Sequence, residues 1–452
     1  MHNKLIEKYN IAAPRYTSYP TVPFWQPTPP SEEEWQHQLR MAYRPAEGIS
    51  IYIHLPFCER LCTYCGCNKR ITKNHRVEQP YIQAILKEWK LYLDRLPDAP
   101  IIKELHLGGG TPTFFAPEHL EELVKGILKG AKAAEDASMS VEVHPMSTTR
   151  EHLSRLAQYG FNRISIGVQD FDEDLLSVIN RPQTYAQVAR VADWSRMLGY
   201  DSINFDLIFG LPFQRESHIL DTMKKVAKLR PERLAFYSYA HVPWISPSQR
   251  AYSEADLPKG EQKRALYQLG KNWLEDMGYH EIGLDHFSLP EDTLYQAQQA
   301  GQLHRNFMGY TSAHTNVLIG LGTSAISDTW TAYVQNEKTV EAYQARVNAG
   351  QLPILRGHLL SEKDRFVRRQ ILNLMCQQST SWSKEELDQY AFLQEVNKNM
   401  LPLAADGLVS LEHPGEIRVS ERGKAFLRNI AMKFDQYLNR ENTGSSLFSQ
   451  AV

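Results

Sequence analysis

The feature that most constrains the fold is a repeated pattern of apolar strand, loop and amphipathic helix between about residues 48 and 240. Six short apolar segments rich in β-branched and aromatic residues alternate with segments of helical spacing. The predicted strands are 49–55, 102–107, 139–144, 163–169, 203–209 and 233–239. This alternation predicts an α/β fold with a parallel sheet buried on both faces. If the sheet curls into a partial, open or closed (β/α)6 barrel, the loops that follow the strands share one rim.

Four of the five cysteines lie within ten residues directly after the first predicted strand: Cys58, Cys62, Cys65 and Cys67. A disulfide framework is disfavoured, because a chain of 452 residues can build its own core. A structural zinc site usually takes two separated Cys-x-x-Cys pairs, and Cys376 lies far away in an apolar helical segment. The remaining interpretation is an iron–sulfur cluster on three thiolates, with one iron open to another ligand.

Residues that could bind a ligand lie within or after the other predicted strands. They are Gly108, Gly109, Gly110, Glu142, Gln169 with Arg181, Asp206 and Ala240. Polar groups at the ends of apolar strands are costly to bury without a partner, so one shared ligand would satisfy several of them. The glycines allow close backbone approach to a ligand, although they are also typical of a tight turn. The carboxylates suit ribose hydroxyls or an ammonium group, or are ordinary solvent-facing side chains.

The charge balance argues against two classes of partner. The chain has 50 Lys and Arg against 52 Asp and Glu, so no electrostatic footprint for nucleic acid or an anionic membrane is expected. The first residues lack an apolar leader, and no apolar run approaches the length that crosses a bilayer. We therefore expect a cytoplasmic protein with reduced thiols. We also expect a monomer, because no exposed apolar helix face stands out.

The composition changes along the chain and predicts three parts. Residues 1–45 contain many prolines, which oppose regular helix, and predict an extended N-terminal arm that docks on the protein. Residues 46–350 form the predicted catalytic barrel. Residues 351–452 predict a mostly helical C-terminal domain, with a hairpin wing at 409–420 and a long helix at 421–438. A winged-helix DNA binder has similar elements, but the nearly neutral chain favours a lid or packing domain.

A loop at residues 304–311 combines cations with aromatic residues. Histidine and arginine in loops are usually surface or capping residues. As a group over a barrel rim, however, they would suit a flat, anionic substrate that carries carboxylates.

The spacing Cys-x-x-x-Cys-x-x-Cys, with Tyr64 before the third cysteine, resembles that of radical S-adenosylmethionine (SAM) enzymes. Further motifs are Pro-Arg-Tyr-Thr-Ser-Tyr-Pro at 14–20, Gly-Gly-Gly-Thr-Pro-Thr at 108–113, Gly-Val-Gln-Asp-Phe at 167–171, Asp-Leu-Ile-Phe-Gly-Leu-Pro at 206–212, Tyr-Ala-His-Val-Pro at 239–243 and His-Arg-Asn-Phe-Met-Gly-Tyr-Thr at 304–311. Together they resemble the oxygen-independent coproporphyrinogen III oxidase (dehydrogenase) family over essentially the whole chain. Residues 143–146 depart from the family pattern after Glu142.

The resemblance implies one [4Fe–4S] cluster and two SAM molecules in one active site. Its implied cluster ligands are Cys58, Cys62 and Cys65. Its implied contacts to the cluster-bound SAM are Tyr52, Gly109, Glu142 and Ile326. Its implied contacts to the second SAM are Tyr64, Gly110, Thr111, Gln169, Arg181, Asp206 and Ala240. Cys67 is not expected to bind iron and is assigned a possible catalytic part.

The function that the resemblance implies is oxidative decarboxylation of two propionates of coproporphyrinogen III to vinyl groups, which gives protoporphyrinogen IX. This reaction needs an electron donor and an electron acceptor, which the sequence does not identify. Two alternatives are a heme-binding chaperone of the same fold and a radical SAM enzyme for another tetrapyrrole. The chaperone is disfavoured by Cys67 and by the motif at 14–20. A zinc-bound nucleic-acid protein is a further alternative of another class.

Overall fold

The structure, a computed structural model, describes residues 2–244, 246–438 and 448. The end of the predicted C-terminal domain therefore lies outside the described residues. Within them, no helix has both the length and the apolar composition needed to cross a bilayer.

Twelve strands of the described residues form one sheet. In chain order they are β1 (Ile49–Leu55), β2 (Ile101–Gly109), β3 (Lys132–Val143), β4 (Arg163–Gln169), β5 (Ser202–Phe209), β6 (Arg233–Ser238), β7 (His280–Gly283), β8 (His286–Ser288), β9 (Leu318–Leu321), β10 (Ile326–Asp328), β11 (Ala332–Asn336) and β12 (Ile354–Leu359). Their order across the sheet is β12-β11-β10-β9-β1-β2-β3-β4-β5-β6-β8-β7. Strands β1 to β6 are consecutive neighbours and parallel, which confirms the predicted α/β fold. The edge strands β7 and β12 are not paired with each other in the described part.

Fifteen α-helices of the described residues surround or follow this sheet. They are α1 (His2–Tyr9), α2 (Glu32–Ala42), α3 (Glu78–Leu93), α4 (Pro117–Lys129), α5 (Arg150–Ala157), α6 (Glu173–Val178), α7 (Tyr185–Met197), α8 (Glu216–Leu229), α9 (Gly260–Asp276), α10 (Thr293–Gln299), α11 (Val340–Asn348), α12 (Glu362–Gln377), α13 (Lys384–Gln389), α14 (Phe392–Ala405) and α15 (Leu427–Ala431). The pattern at 172–199 predicts a helix broken near Pro182, and α6 and α7 confirm the break.

Alternate residues of the parallel strands point to two chemically different faces. In β1, Ile49, Ile51 and Ile53 are fully buried in the main hydrophobic core, to which α3 and α4 also contribute. Burial of each such side chain contributes about 1.5–3 kcal/mol relative to exposure. The opposite face is polar and hydrogen-bonded across strands. Its pairs include Ser50 with Glu104, His106 with Ser140, and Ser165 with Asp206. The apolar face of the sheet thus contributes to the hydrophobic core, while the polar face lines the barrel interior.

The N-terminal arm is docked, but it is not extended throughout. Helix α2 begins after the last proline of the arm with a capping box formed by Ser31 and Glu34. Helix α1 precedes the prolines, so the prediction that residues 1–45 lack regular helix is wrong at both ends. Between the helices, the Tyr16 hydroxyl donates to Asp435 at 3.0 Å, and Tyr16 is 2% exposed. The Arg428 guanidinium donates to the Ala13 carbonyl at 3.1 Å. The arm is therefore bound to the C-terminal part.

The C-terminal part packs as a second hydrophobic core with contributions from α12, α14 and α15. Strands Val409–Ser410 and Glu416–Val419 form the predicted hairpin. The long helix predicted at 421–438 is wrong, because α15 is flanked by the short 3-10 helices Gly423–Phe426 and Met432–Phe434. Strand β12 continues the central sheet beyond residue 350, the predicted end of the barrel.

Candidate active site

A cavity of about 440 Å³ opens where the parallel strands end. It is lined by the cysteine loop, by the loops that follow β2 to β4, and by the ends of β5 and β6. Twelve of the fifteen residues expected at the site line it, namely Cys58, Cys62, Tyr64, Cys65, Cys67, Gly109, Gly110, Thr111, Glu142, Gln169, Arg181 and Asp206. Residues distant in the sequence are thus brought to one cavity.

Hydrogen bonds from two directions hold the cysteine loop. On one side, strand Phe57–Cys58 pairs with Arg70–Ile71, and the Thr72 amide donates to the Cys58 carbonyl at 2.9 Å. On the other side, the loop after β6 donates three side-chain hydrogen bonds to the carbonyls of residues 63, 64 and 65. The donors are Ser248 at 3.3 Å, Gln249 at 3.2 Å and Ser246 at 3.4 Å, respectively. All five cysteines of the chain are described, and all are free thiols.

Three thiols of the loop, those of Cys58, Cys65 and Cys67, differ in their electrostatics. A hydrogen bond with Cys67, assisted by the charges of Lys69 and Arg181, lowers the pKa of Cys65 to about 6. The same hydrogen bond raises the pKa of Cys67 well above its ordinary value. Burial raises the pKa of Cys58 to about 11. Of these three, Cys65 therefore has the strongest tendency to be a thiolate, which is the form that binds metal.

These thiols suit an iron–sulfur cluster. The Thr111 hydroxyl is 3.3 Å from the Cys58 sulfur, and the Arg181 guanidinium donates to the Cys62 sulfur at 3.6 Å. Such donors stabilise sulfur that carries negative charge and tune a cluster's potential. In the part of the chain that the structure describes, no three His, Cys, Asp or Glu side chains are grouped as the ligands of one metal ion. In an iron–sulfur cluster each thiolate binds a different iron, so its ligands need not converge on one metal ion.

The glycine run after β2 packs against the cysteine loop. A Cβ atom on Gly110 would stand 2.5 Å from the Pro56 carbonyl oxygen and 2.9 Å from the Cys58 sulfur. A Cβ on Gly108 would stand 2.9 Å from a carboxylate oxygen of Glu142. Gly109 has a φ of +122°, which favours glycine. The backbone of these glycines therefore lies too close to other parts of the protein to leave room for a Cβ atom. The close neighbours are protein atoms, of the cysteine loop and of Glu142.

Glu142 is half-buried at the end of β3. One carboxylate oxygen is 3.1 Å from His106 Nε2, and the other accepts from the Gly109 amide at 3.3 Å. Desolvation acts to raise the pKa of Glu142, but the hydrogen bond and charge of His106, with the Gly109 amide, outweigh it and lower the pKa. Glu142 is therefore charged at neutral pH and can bind a cation.

Asp206 has the opposite shift. Burial, followed by the charge of Glu142, raises its pKa to about 6, although hydrogen bonds from Ser165 and Asn204, both at 2.9 Å, oppose the rise. Glu142 and Asp206, two of the three carboxylates that line the cavity, therefore differ in the direction of their pKa shifts.

Arg181 is 6% exposed and is held between β4 and the segment that precedes α7. Its guanidinium donates to the Gly167 carbonyl at 2.6 Å and to Gln183 at 3.2 Å. A Cβ on Gly167 would stand 2.7 Å from this guanidinium. Gln169, with a φ of +68°, also faces Gly167. This buried cation compensates the negative charge expected on the thiolates.

Three expected site residues are not among those that line the cavity: Tyr52, Ala240 and Ile326. The Tyr52 ring stacks on His106 at 5.7 Å and its hydroxyl is 3.0 Å from His54 Nδ1, so it supports the residues around Glu142. The Ala240 carbonyl accepts from Gln249, which also binds the cysteine loop. Ile326 begins β10.

The loop at residues 304–311 does not line the cavity, so the expectation of a cationic cover over the rim is wrong. Arg305 is 4% exposed, lies over the Tyr310 ring at 4.5 Å and donates to the Arg15 carbonyl at 3.3 Å. Burial lowers the pKa of His304 to about 3. The short hairpin that contains these residues is packed into the protein.

Some cavity residues were not predicted. They include Arg60, Lys69, His144, Ser165 and Tyr237. Burial and nearby arginines lower the pKa of His144 well below its ordinary value. The polar residues that alternate with apolar ones inside β2 to β5 were a signal of an inward polar face, which would have identified Ser165 and His106.

Known proteins resemble the chain over its whole length. A model of the Radical SAM superfamily matches residues 52–226, which include the cysteine loop. The oxygen-independent coproporphyrinogen III oxidase of Pseudomonas aeruginosa is 38% identical, with 96% of this chain and 95% of that protein covered. That of Escherichia coli K12 is 37% identical, with 99% and 98% covered. The chain belongs to the oxygen-independent coproporphyrinogen III oxidase family.

The likeness to this oxidase family extends to the fold. The solved structure of coproporphyrinogen III oxidase from Escherichia coli, described as a radical SAM enzyme, matches with a TM-score of 0.88 at 36% identity. The match covers 94% of this chain and 97% of that chain. The predicted family and the predicted radical SAM fold are therefore confirmed. Membership implies a [4Fe–4S] cluster and SAM as cofactors.

Proposed function

We propose that this chain catalyses the oxygen-independent conversion of coproporphyrinogen III to protoporphyrinogen IX. In this reaction two propionate side chains of the tetrapyrrole become vinyl groups. For each one, a hydrogen atom leaves the β-carbon, the carboxylate leaves as CO2, and one electron passes to an acceptor. The observation that carries the proposal is the composition of the cavity. Three free cysteines with radical SAM spacing line it together with polar residues of the parallel strands. The chain that contains this cavity is a member of the oxidase family.

The cluster would be held by Cys58, Cys62 and Cys65. When bound, it supplies the electron that cleaves the sulfonium C–S bond of SAM and so provides a carbon radical that abstracts hydrogen. Support comes from the low pKa of Cys65 and from the donors placed beside the other two sulfurs. The exposed Cys67 thiol is assigned a catalytic part rather than an iron.

Two SAM molecules are proposed for the one cavity. Tyr52, Gly109, Glu142 and Ile326 would bind the molecule at the cluster, where the charged Glu142 suits the ammonium group of methionine. Tyr64, Gly110, Thr111, Gln169, Arg181, Asp206 and Ala240 would bind the second. Support comes from Glu142 and Asp206, which have different hydrogen-bond partners and opposite pKa shifts.

The substrate's carboxylates need cations at the mouth of the cavity. Arg60 is exposed, and Lys69 donates to the Cys65 carbonyl at 3.0 Å, which fixes its ammonium beside the loop. Both line the cavity, whereas Arg305 does not. We therefore assign the binding of propionates to Arg60 and Lys69.

The cellular setting is proposed from the chemistry of the site. Five free thiols suit the reducing cytoplasm. We expect the chain to act there as a monomer, without nucleic acid or a membrane as partner, and with a separate electron donor and acceptor.

Anaerobic turnover tests the proposed function. Protein purified without oxygen and reconstituted with iron and sulfide is mixed with SAM, a reductant and coproporphyrinogen III. We expect CO2, 5′-deoxyadenosine and a divinyl product identified by mass. Deoxyadenosine without a vinyl product would contradict the substrate assignment, and heme binding without decarboxylation would favour the chaperone alternative.

A further inference from the structure

An excess of positive charge lies next to the cysteine loop. Residues 57–76 contain five Lys or Arg against one acidic residue, whereas the whole chain is nearly balanced with 50 against 52. Three of these cations, Arg70, Lys73 and Arg76, are exposed and do not line the cavity. Exposed Lys338 adds a fourth, since its carbonyl accepts from the Asn68 amide at 3.0 Å. We call Arg70, Ile71, Lys73, Arg76 and Lys338 the basic surface.

The basic surface is connected to an expected iron ligand by a short path. Ile71 is 40% exposed and pairs with Cys58 across two parallel strands. The Thr72 amide donates to the Cys58 carbonyl at 2.9 Å, and the Arg70 amide donates to the Pro56 carbonyl at 2.8 Å. The apolar side chain of Ile71, which lies among cations in the sequence, is therefore on the strand that pairs directly with the strand of Cys58.

Two exposed carboxylates lie beside the basic surface, and one of them, Glu59, is 3.5 Å from the ring of His75, the sequence neighbour of Arg76. Glu341 lies 3.3 Å from the Arg70 guanidinium, and both side chains are more than half exposed, at 66% and 58%. Exposed pairs of this kind contribute little and exchange partners readily. No ion pair is found for Lys73, Arg76 or Lys338 within the described ranges. These three cations are therefore available to an acidic partner.

We propose that the basic surface docks an acidic one-electron carrier protein, which reduces the cluster. The proposal rests on the proposed function and names the class of its electron donor. In the transfer, the carrier loses one electron and the cluster gains one. Complementary charge raises the rate of encounter and fixes the orientation, while Ile71 supplies the apolar contact beside Cys58.

The experiment compares two variants of equal charge change in the reconstituted holoenzyme. The first carries Arg70→Glu, Lys73→Glu and Arg76→Glu. The control carries Lys129→Glu, Lys224→Glu and Lys228→Glu, which are exposed on α4 and α8. A bacterial flavodoxin is the carrier probe. Its dissociation constant is measured by calorimetry with oxidised proteins, and the rate at which its reduced form bleaches the cluster is measured by stopped flow. Dithionite serves as the small reductant.

We expect the first variant to bind flavodoxin at least about tenfold more weakly than the control, with a flatter dependence on salt. Cluster reduction by flavodoxin should slow in parallel, while reduction by dithionite stays unchanged. Equal dissociation constants for the two variants would overturn the proposal. If the first variant loses its cluster, a variant with Arg70→Gln, Lys73→Gln and Arg76→Gln is used in its place. Unaltered flavodoxin binding by this neutral variant would also overturn the proposal.

Two further outcomes separate this proposal from others. If the first variant, driven by dithionite, needs more coproporphyrinogen while its flavodoxin binding is normal, the basic surface serves the substrate and the proposal is wrong. If the wild-type holoenzyme binds flavodoxin through these residues but forms no vinyl product even with dithionite, the proposed function fails while the docking surface stands.

Discussion

Gly110 lies directly against Cys58: a Cβ atom at residue 110 would stand 2.9 Å from the cysteine sulfur. The substitution Gly110→Ala should therefore displace an iron ligand while the distant core is unchanged. We expect most of the reconstituted iron to be lost, with little change in the melting temperature. Iron analysis and the visible absorption of the cluster measure this. Gly66→Ala is the control in the same loop, because nothing lies within 4 Å of its Cβ position. Normal iron in both variants would contradict the close packing.

The side chains of Cys65 and Cys67 interact and shift each other's pKa in opposite directions. We expect Cys65→Ser to lose most of its cluster, because a thiolate ligand is removed. Cys67→Ser should retain the iron, since serine preserves a hydrogen-bond donor toward Cys65, but should form vinyl product at least about tenfold more slowly. Iron content and product formation are measured side by side. Iron loss in Cys67→Ser would make Cys67 a ligand instead of a catalytic residue.

The pKa of Asp206 is raised to about 6, mainly by burial, so the carboxylate is charged above that pH and protonated below it. If the charged form binds the second SAM, its affinity should fall as the pH decreases through about 6. Asp206→Asn should show weak binding at every pH and a stoichiometry of about one SAM per chain instead of two. Equilibrium dialysis between pH 5 and 8 measures both quantities. Two tightly bound SAM molecules in Asp206→Asn would refute the assignment.

Glu88 is a fully buried carboxylate on α3 that accepts from the Gly322 amide at 2.8 Å, the Asn336 amide at 2.7 Å and the Tyr343 hydroxyl at 2.6 Å. Burial raises its pKa to about 7, although these hydrogen bonds oppose the rise. The folded state then holds a proton that the unfolded state releases above its ordinary pKa of 4.5, so rising pH destabilises the fold.

The free energy of unfolding of the wild type, relative to Glu88→Gln, should therefore decrease by about 2 kcal/mol between pH 5.5 and 8.5. Urea denaturation at several pH values measures the difference, and the variant cancels the contributions of other groups. A difference that is constant with pH would show that Glu88 does not titrate in this interval.

The sequence predicts the cysteine loop and the parallel strands well, because both depend on local signals. The predicted strand before Cys58 ends at Pro56, and the four cysteines of the loop lie within ten consecutive residues. The same holds for the hairpin at Val409–Ser410 and Glu416–Val419, which a Pro-Gly turn indicates. Where residues close in the sequence determine an element, the local sequence pattern is sufficient to predict that element.

Residues whose surroundings come from distant parts of the chain were predicted less well. Arg305 lies in a segment whose composition is typical of a surface loop, but its side chain is buried against Tyr310 and the N-terminal arm. The helix expected at 421–438 is divided into α15 and its flanking 3-10 helices, and Asn429 and Asp435 contact the arm at Tyr9 and Tyr16, which no local pattern specifies. The interior role of His106 depends on its cross-strand partner Glu142, which no local pattern specifies.

The account depends on a cluster with one iron that is not bound by protein. Electron paramagnetic resonance of the anaerobically reduced, reconstituted protein, recorded with and without SAM, tests this most directly. We predict about four iron atoms per chain and a spectrum that changes when SAM is added, because SAM binds the open iron. Stoichiometric zinc in place of iron, or a cluster spectrum unaltered by saturating SAM, would contradict it.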